Sequence, residues 1–282
     1  MRLPGPDYAA PAKLNLFLHV VGRRPDGYHL LQSVFALIDA ADRLRFAVRD
    51  DALIRRVSEL PGVPPEADLV VRAARLLQAE TGTRLGADIE VDKRLPMGGG
   101  LGGGSSDAAT TLLALNRLWG LGLDRPALQR LGARLGADVP FFVYGRNAWV
   151  EGVGDRLQAI DLPPAWYLVL APPVSVPTPA IFQAPELTRN TEPLKMEDFS
   201  AHAGFRHLRN DLEPVVLSRY PVIREALEWL SSRGGGRLTG SGACVFARFE
   251  DRASAERARE EVPASIEGFV AQGLGQHPLR DM

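Results

Sequence analysis

Residues 96–106 read Pro-Met-Gly-Gly-Gly-Leu-Gly-Gly-Gly-Ser-Ser, with six glycines in eleven positions. Before them, residues 87–93 alternate apolar and polar side chains, as in a half-buried strand. After them, residues 105–119 have the composition of a helix, with Ser105 or Ser106 as the candidate N-cap. Glycines let backbone N–H groups approach a ligand, and a helix N-terminus adds partial positive charge. The segment therefore predicts an anion site and favours the phosphates of a nucleotide.

Other kinds of glycine-rich segment fit this sequence less well. A flexible linker would not normally contain a leucine and end in a capped helix. A P-loop ends in a lysine followed by Ser or Thr, and residues 95–116 contain no lysine. A Gly-x-Gly-x-x-Gly pattern occurs at Gly98, Gly100 and Gly103, but a dinucleotide site also needs a strand ending in an acid about twenty residues later. Residues 119–124 instead indicate a turn between two helices.

Five further motifs lie along the chain in a fixed order: Ala-Lys-Leu-Asn-Leu at 12–16, Asp-Gly-Tyr-His at 26–29, Gly-Ala-Asp-Val-Pro at 136–140, Pro-Thr-Pro-Ala-Ile-Phe at 177–182 and Leu-Thr-Gly-Ser-Gly-Ala-Cys at 238–244. Together with residues 96–106, they resemble the motifs of the GHMP small-molecule kinases. Within that superfamily they are most similar to the kinases that phosphorylate the 2-hydroxyl of 4-diphosphocytidyl-2-C-methyl-D-erythritol with ATP. The resemblance extends over most of the chain.

The resemblance implies an α+β fold of two domains, the GHMP kinase fold. The N-terminal domain would be ribosomal-protein-like and carry the ATP loop, and the C-terminal domain would be ferredoxin-like and complete the substrate site. Two prolines precede a predicted strand near Pro163, so we expect the domains to cover residues 1–163 and 164–282.

The hydrophobic pattern predicts individual elements along this framework. Residues 14–20 alternate like a strand with one buried face, and residues 68–80 form an amphipathic helix. Asp124 can cap a helix that runs to about Leu135. The second half predicts helices packed on one face of an antiparallel sheet. Its strands are expected near 166–171, 244–249 and 268–271, and its helices near 209–218, 221–232 and 252–261.

Phosphoryl transfer needs two positioned partners and a group that accepts the hydroxyl proton. Because a proline disfavours helical geometry in the residue before it, Pro140 predicts a sharp boundary next to Asp138. From the residues alone, Asp138 is a turn or cap residue and Lys13 a lysine at a sheet edge. The resemblance implies instead that Asp138 is the catalytic base and Lys13 its charged partner. Asn15 points the same way as Lys13 in a strand, and would hold substrate or this pair.

The nucleobase is the second part of the expected substrate site. Residues 26–29 suggest an ordinary hairpin tip. In the resembling family, Tyr28 stacks on the cytosine ring and His29 hydrogen-bonds its edge, with Phe182 on the opposite face and Thr178 nearby. A neutral pyrimidine needs this combination of flat apolar faces and a few directed polar groups.

The resemblance also implies the residues that bind the cofactor. ATP would be accompanied by Mg²⁺, for which the sequence identifies no ligand. Relatives often have an asparagine at the position of Asp68 that contacts adenine; here either that contact is remade or Asp68 is only a helix cap. Residues 238–242 would grip substrate phosphates or brace the ATP loop. The cofactor-binding residues are Pro96, Met97, Gly98, Gly99, Gly100, Leu101, Gly102, Gly103, Gly104, Ser105 and Ser106, and the substrate-binding residues are Asn15, Tyr28, His29, Thr178, Phe182, Thr239, Gly240 and Ser241.

Composition is compatible with this interpretation. The 282 residues carry a net charge of −1, which gives no electrostatic basis for a nucleic-acid or membrane partner. A single cysteine, Cys244, excludes an intramolecular disulfide and favours a reducing, cytoplasmic compartment. We expect a small-molecule cytidyl-diphosphate substrate and a monomer or weak homodimer. The alternatives are a GHMP kinase for another alcohol such as homoserine or mevalonate, a dinucleotide-dependent oxidoreductase, and an RNA-binding module.

Overall fold

The computed structural model describes residues 3–199 and 208–281. Its centre is a long antiparallel hairpin of two strands, β1 (Tyr8–Arg23) and β2 (His29–Arg49). The expectation of one buried face for residues 14–20 is wrong, because every one of these residues is buried. β1 contacts the helix that follows the glycine-rich segment, and its apolar side chains also pack with strands from the second half of the chain.

One sheet of ten strands runs through the described part of the chain. The strands after β2 are β3 (Ile54–Arg56), β4 (Gly86–Asp92), β5 (Ala148–Glu151), β6 (Arg156–Ala159), β7 (Trp166–Ala171), β8 (Gly236–Leu238), β9 (Val245–Phe249) and β10 (Glu267–Leu274). The main path of the sheet has the order β3-β4-β2-β10-β7-β9-β8, and every pair is antiparallel except β3 with β4. Off this path, β1 pairs with β2, and β5 and β6 extend from β2.

β10 joins the two halves of the sheet, because it pairs with β2 through Gly273 and Leu274 and with β7 along most of its length. The sheet is therefore continuous across the expected boundary at Pro163. The two domain ranges stay a prediction, and their outer ends, residues 1 and 282, lie outside the described residues.

The helices confirm the expected α+β class. They are α1 (Leu69–Thr81), α2 (Gly103–Leu118), α3 (Arg125–Ala133), α4 (Val139–Tyr144), α5 (Thr178–Phe182), α6 (Glu213–Arg219), α7 (Pro221–Gly234) and α8 (Arg252–Glu260), with a short 3₁₀ turn at Met196–Asp198. Most predicted elements are present within a few residues of their expected bounds, whereas α4, α5 and β8 were not predicted.

Apolar side chains form three buried clusters. The first lies between the sheet at β2 and β4 and helices α1 to α4, and the second lies between β7, β9 and helices α5 to α7. The third cluster contains residues of β1, β2, β7 and β9, together with Leu101 of the glycine-rich segment and Cys244. The two glycine-containing turns are thus anchored in the core that joins the halves of the molecule.

Three local expectations concern helix ends, and the first two are those at α3 and α2. Asp124 caps α3 as predicted, accepting a hydrogen bond from the Ala127 N–H at 2.8 Å, but the helix ends at Ala133. The N-cap of α2 is Gly102 rather than Ser105 or Ser106, because the glycine turn itself leads into the helix.

A third correction concerns the residues around Asp138. Asp138 does lie at a boundary, as the N-cap of α4, but Val139 is the first residue of that helix. The expectation that Pro140 keeps Val139 out of a helix is wrong. Proline is tolerated in the first turn, because the N–H that it lacks would have no intrahelical partner there.

Candidate active site

The glycine-rich turn and the second turn, residues 238–244, pack backbone against backbone. The N–H groups of Ala243 and Cys244 donate to the carbonyl oxygens of Gly98 and Gly99 at 3.3 and 3.1 Å. Gly100 has φ +76°, and a Cβ there would collide with the carbonyl oxygen of Thr239. Only glycine fits this position, because it combines a left-handed backbone with close approach of another chain segment.

The glycine-rich turn leads directly into the N-terminus of α2. Gly102 has φ +73°, and a Cβ there would lie 2.9 Å from the Phe142 ring and 3.3 Å from Cε of Lys13. As a glycine N-cap it has no side chain to satisfy the first N–H groups of the helix. Those groups, on residues 103–105, are therefore free to bind an anion, which fits the phosphates of ATP.

A cavity of about 380 Å³ lies against the glycine-rich turn and the N-terminus of α2. Residues 96–105 all line it, with Met97 exposed at its rim. Ser106, the last residue of the expected cofactor-binding segment, is fully buried in α2 and does not line the cavity.

A larger cavity of about 730 Å³ lies on the other side of the same turn. It brings together nearly all of the residues that the sequence predicted for catalysis and substrate binding. Thr239 is the exception: it is fully buried behind the wall, and its hydroxyl accepts a hydrogen bond from the Asn15 N–H at 3.0 Å. The predicted residues that line the cavity are Lys13, Asn15, Tyr28, His29, Asp138, Thr178, Phe182, Gly240 and Ser241.

The two cavities meet at Gly100, Gly102 and Ser105, which line both of them. Next to this junction, Nζ of Lys13 lies 3.4 Å from Oδ2 of Asp138. A donor bound in the smaller cavity and an acceptor bound in the larger one would thus meet beside this ion pair. The arrangement suits transfer of a group between two ligands.

Lys13 is held almost entirely out of solvent. Its Nζ donates a hydrogen bond to Oδ1 of Asn15 at 2.6 Å and lies 4.6 Å from the centre of the Phe35 ring. Asn15 in turn donates to the Ser33 hydroxyl at 3.1 Å. The side chain of Asp138 is 32% exposed and lines the larger cavity. Lys13 is therefore fixed in one position, while the carboxylate stays accessible to a substrate hydroxyl.

Aromatic side chains gather at the far end of the larger cavity. Tyr28 is 67% exposed at the tip of the β1–β2 hairpin. The His29 ring lies 5.2 Å from the Phe182 ring, with the two planes inclined by 34°. Burial, together with the positive charges of Arg189 and Arg23, lowers the pKa of His29. Tyr28 thus offers an exposed flat face, and His29 a neutral ring, to a ligand in this cavity.

Comparison with known proteins identifies the family. The model of the GHMP kinase N-terminal domain matches residues 68–146, and that of the GHMP kinase C-terminal domain matches residues 192–268. The chain is 62% identical over 274 residues to 4-diphosphocytidyl-2-C-methyl-D-erythritol kinase of Aromatoleum aromaticum, covering 97% of this chain and 95% of the relative. It is 57% identical to the enzyme of the same name from Burkholderia pseudomallei over 279 residues, with the same coverage. The chain belongs to the GHMP kinases.

A solved structure agrees with this assignment. The crystal structure of a 4-(cytidine 5'-diphospho)-2C-methyl-D-erythritol kinase has a TM-score of 0.83 and 36% identity, covering 96% of this chain and all of the other. A mevalonate kinase structure, at 13% identity and a TM-score of 0.69, shares the fold. The chain is therefore an ATP-dependent small-molecule kinase. None of its described helices is long and apolar enough to cross a membrane.

A buried charged cluster that no sequence motif predicts lies beneath the glycine-rich turn. Nζ of Lys93 bonds to Oδ2 of Asp42 and, at 2.8 Å, to Oδ2 of Asp107. Asp42 also accepts the N–H groups of Arg94 and Leu95. A Cβ at Gly103 would lie 3.3 Å from both Asp42 and Lys93. The three charges meet only after folding, so no local motif could have revealed them.

The cluster carries one more negative than positive charge. Burial raises the pKa of Asp107 to about 7, against the attraction of Lys93, and the charge of Asp42 adds to the rise. Burial opposes the charge of Lys93, but Asp107 and Asp42 outweigh it, so the pKa of Lys93 is raised. Oδ1 of Asp107 has no hydrogen-bond partner among the described residues.

Asp68 is a helix cap, one of the two roles left open above. Its Oδ1 accepts a hydrogen bond from the Val70 N–H at 3.0 Å, and its Oδ2 bonds to Nη1 of Arg56 at 2.6 Å. It also lines the smaller cavity. Both carboxylate oxygens are thus engaged within the protein.

The described residues include no group of three or more His, Cys, Asp or Glu side chains that could hold a metal ion. Cys244 is buried, which raises the pKa of its thiol to about 12, with a further contribution from Glu267. It is a packing residue rather than a nucleophile.

The contact between the two turns predicts the behaviour of Gly100. Gly100→Ala should lower ATP affinity by at least about tenfold, or 1.4 kcal/mol, because the new Cβ displaces the turn from Thr239. Gly120→Ala is the control: Gly120 also has a positive φ, but a Cβ there meets no atom within 4 Å. Titration calorimetry with ATP measures both variants. Wild-type affinity in a folded Gly100→Ala variant would contradict the role given to this contact.

The charged cluster predicts a pH-dependent stability difference. The pKa of Asp107 is higher in the folded than in the unfolded state. The contribution of this shift to the free energy of unfolding is therefore fully present below pH 3.8 and is lost as the pH rises through about 7. Asp107→Asn avoids this loss and can still accept from Lys93. The melting temperature of the variant, relative to wild type, should therefore rise between pH 4 and pH 8.

Thermal denaturation without nucleotide, at several pH values, tests this expectation. Asp124→Asn keeps its helix cap and controls for the removal of one carboxylate. A difference between Asp107→Asn and wild type that is constant with pH would show that Asp107 is not the titrating group.

Proposed function

We propose that this kinase transfers the γ-phosphoryl group of ATP to the 2-hydroxyl of 4-diphosphocytidyl-2-C-methyl-D-erythritol, in the non-mevalonate route to isoprenoid precursors. The observation that carries the proposal is the Lys13–Asp138 pair, 3.4 Å apart beside the junction of the two cavities. The names of the relatives at 57–62% identity support the substrate. Homoserine and mevalonate kinases share the fold at only 13–18% identity, so these alternatives are not favoured.

The smaller cavity takes ATP, and residues 96–105, which line it, cradle the phosphates. The N-terminus of α2 attracts the phosphates through its free N–H groups and its dipole. Mg²⁺ bound to the phosphates would neutralise charge that develops during transfer. Transfer then requires mainly that the acceptor oxygen be held in line with the γ-phosphate.

Asp138 acts as the general base. It accepts the proton of the 2-hydroxyl as the oxygen attacks phosphorus, and Lys13, 3.4 Å away, holds the carboxylate in position. Asn15 holds Nζ of Lys13 through a 2.6 Å hydrogen bond. Because Lys13 is buried beside Phe35, its charge acts at short range and with little solvent screening.

The cytidyl group occupies the aromatic end of the larger cavity. Tyr28 and Phe182 provide apolar faces for the base, and His29 provides a directed polar group. Thr178 and Ser241, whose hydroxyl oxygens lie 2.6 Å apart, face the diphosphate together with Gly240. Thr239 braces the ATP loop from behind through the carbonyl oxygen of Gly100 at 3.5 Å.

A cytoplasmic location and a monomer or weak homodimer complete the proposal. The buried, free Cys244 supports a reducing compartment. The net charge of −1 supports a small molecule rather than nucleic acid as the partner.

The catalytic pair predicts the effect of two substitutions. Asp138→Asn should lower kcat about 10²- to 10⁴-fold, because no group then takes the hydroxyl proton. Lys13→Met should lower kcat as well, because Asp138 loses its charged partner. ATP affinity and melting temperature of Asp138→Asn should stay near wild type. A coupled ADP-release assay measures turnover, with Asp161→Asn and Lys195→Met at exposed positions as controls. Wild-type turnover in Asp138→Asn would exclude this mechanism.

The aromatic end predicts which substrate is used. Tyr28→Ala and Phe182→Ala should each raise KM for the cytidyl substrate by about five- to hundred-fold, since a base-stacking aromatic contributes roughly 1–3 kcal/mol. KM for ATP should hardly change, because adenine binds in the other cavity. The same ADP-release assay compares wild-type activity on mevalonate and homoserine. Equal activity on those alcohols would refute the substrate while leaving the kinase assignment intact.

A further inference from the structure

Arg189 contacts the larger cavity through His29, and no sequence motif marks it. It lies in the segment after α5, and its guanidinium donates to three carbonyl oxygens, one at the end of α5 and two in that segment. These are Leu187 at 2.9 Å, Phe182 at 3.1 Å and Ala184 at 2.6 Å. The remaining contact, from Nε to Nε2 of His29, is 3.1 Å long. Arg189 is thus held rigidly by the backbone and aimed at one nitrogen of the imidazole.

This contact determines which nitrogen of His29 carries the proton. A guanidinium has five N–H donors, no acceptor, and a charge that it keeps at any pH relevant to a protein. Nε2 of His29 must therefore accept, which requires its lone pair. In the neutral ring the proton is then on Nδ1. The lowered pKa of His29, caused by burial and by Arg189 and Arg23, is consistent with a neutral ring.

We propose that Arg189 fixes His29 in the Nδ1–H tautomer, and that the resulting donor makes the site select cytosine over uracil. The proposal rests on the proposed function, because it concerns how that cavity recognises its base. Arg189 is a positioning residue, since it acts through His29.

The chemistry of the two bases explains the selection. Nε2 is occupied by Arg189, so Nδ1 is the ring nitrogen left for a ligand in the cavity that His29 lines. N3 of cytosine is an acceptor, whereas N3 of uracil carries a proton and is a donor. A fixed Nδ1–H of His29 can donate a hydrogen bond to N3 of cytosine, whereas it meets another donor at N3 of uracil. A histidine free to change tautomer could instead accept from uracil and would lose the distinction.

The tautomer can be observed directly in the full-length protein by nitrogen-15 NMR of labelled histidine. The chain has five histidines, and His29→Asn assigns the signal of His29. In the wild type at neutral pH we expect a protonated Nδ1 and an unprotonated Nε2. In Arg189→Met the proton should move towards Nε2, while Arg189→Lys, which keeps a donor, should retain more of the Nδ1–H form. A wild-type His29 with its proton on Nε2 would overturn the proposal without any variant.

Substrate selectivity provides the second measurement, as the ratio of kcat/KM for the cytidyl substrate to that for its uridyl analogue. Arg189→Met should reduce this ratio by about tenfold or more, the effect expected when one directed hydrogen bond is lost. Arg219→Met is the matched control, because Arg219 also braces α5 through the Ala180 carbonyl and bonds to Glu186 but does not contact His29. The ratio should be unchanged in that variant.

The possible outcomes distinguish control of the His29 tautomer by Arg189 from a purely bracing role of Arg189 and from a failure of the proposed function. If Arg189→Met weakens both substrates equally, Arg189 only braces the segment and the proposal is overturned. If the wild type does not phosphorylate the cytidyl substrate, the proposed function fails. The NMR tautomer of the free protein still decides whether Arg189 controls His29.

Discussion

The contact between the two glycine-containing turns is the constraint on which the rest of the site depends. The glycine-rich turn comes from the first half of the chain and the turn at residues 238–244 from the second. They meet through backbone groups, with Gly100 against the Thr239 carbonyl and Gly98 bonded to Ala243. A side chain at Gly100 would separate them. Main-chain atoms thus set the spacing of the two halves. These atoms also form the rigid surface that a bound nucleotide needs.

The same contact fixes the residues proposed for catalysis. The N–H of Lys13 donates to the Leu101 carbonyl at 2.9 Å, and the N–H of Asn15 donates to the Thr239 hydroxyl at 3.0 Å. β1 is therefore attached to both turns at once. Lys13, already buried by the core on both sides of β1, is directed at Asp138 on the N-cap of α4. Packing around β1, rather than flexible side chains, therefore sets the position of the charged Lys13–Asp138 pair at the junction of the cavities.

The sequence predicted those features that depend on neighbours along the chain. The glycine turn followed by a helix, the caps at Asp68 and Asp124, and most strands could be found by local pattern, and the motifs identified the family. Features that depend on distant residues could not. The helix α2 begins at Gly103, earlier than predicted, because Gly102 with its left-handed backbone precedes it instead of a side-chain cap. The Lys93 cluster and the hydrogen bond from Arg189 to His29 join residues 14 to 160 positions apart.

The most direct test of the central claim is the structure of a ternary complex with a non-hydrolysable ATP analogue and the cytidyl alcohol. We expect the γ-phosphate to lie against the N-terminus of α2 and the 2-hydroxyl oxygen to lie within hydrogen-bond distance of Asp138. The cytosine should contact His29 at the aromatic end of the larger cavity. A complex with the phosphates bound away from residues 96–106, or with the 2-hydroxyl turned away from Asp138, would contradict it.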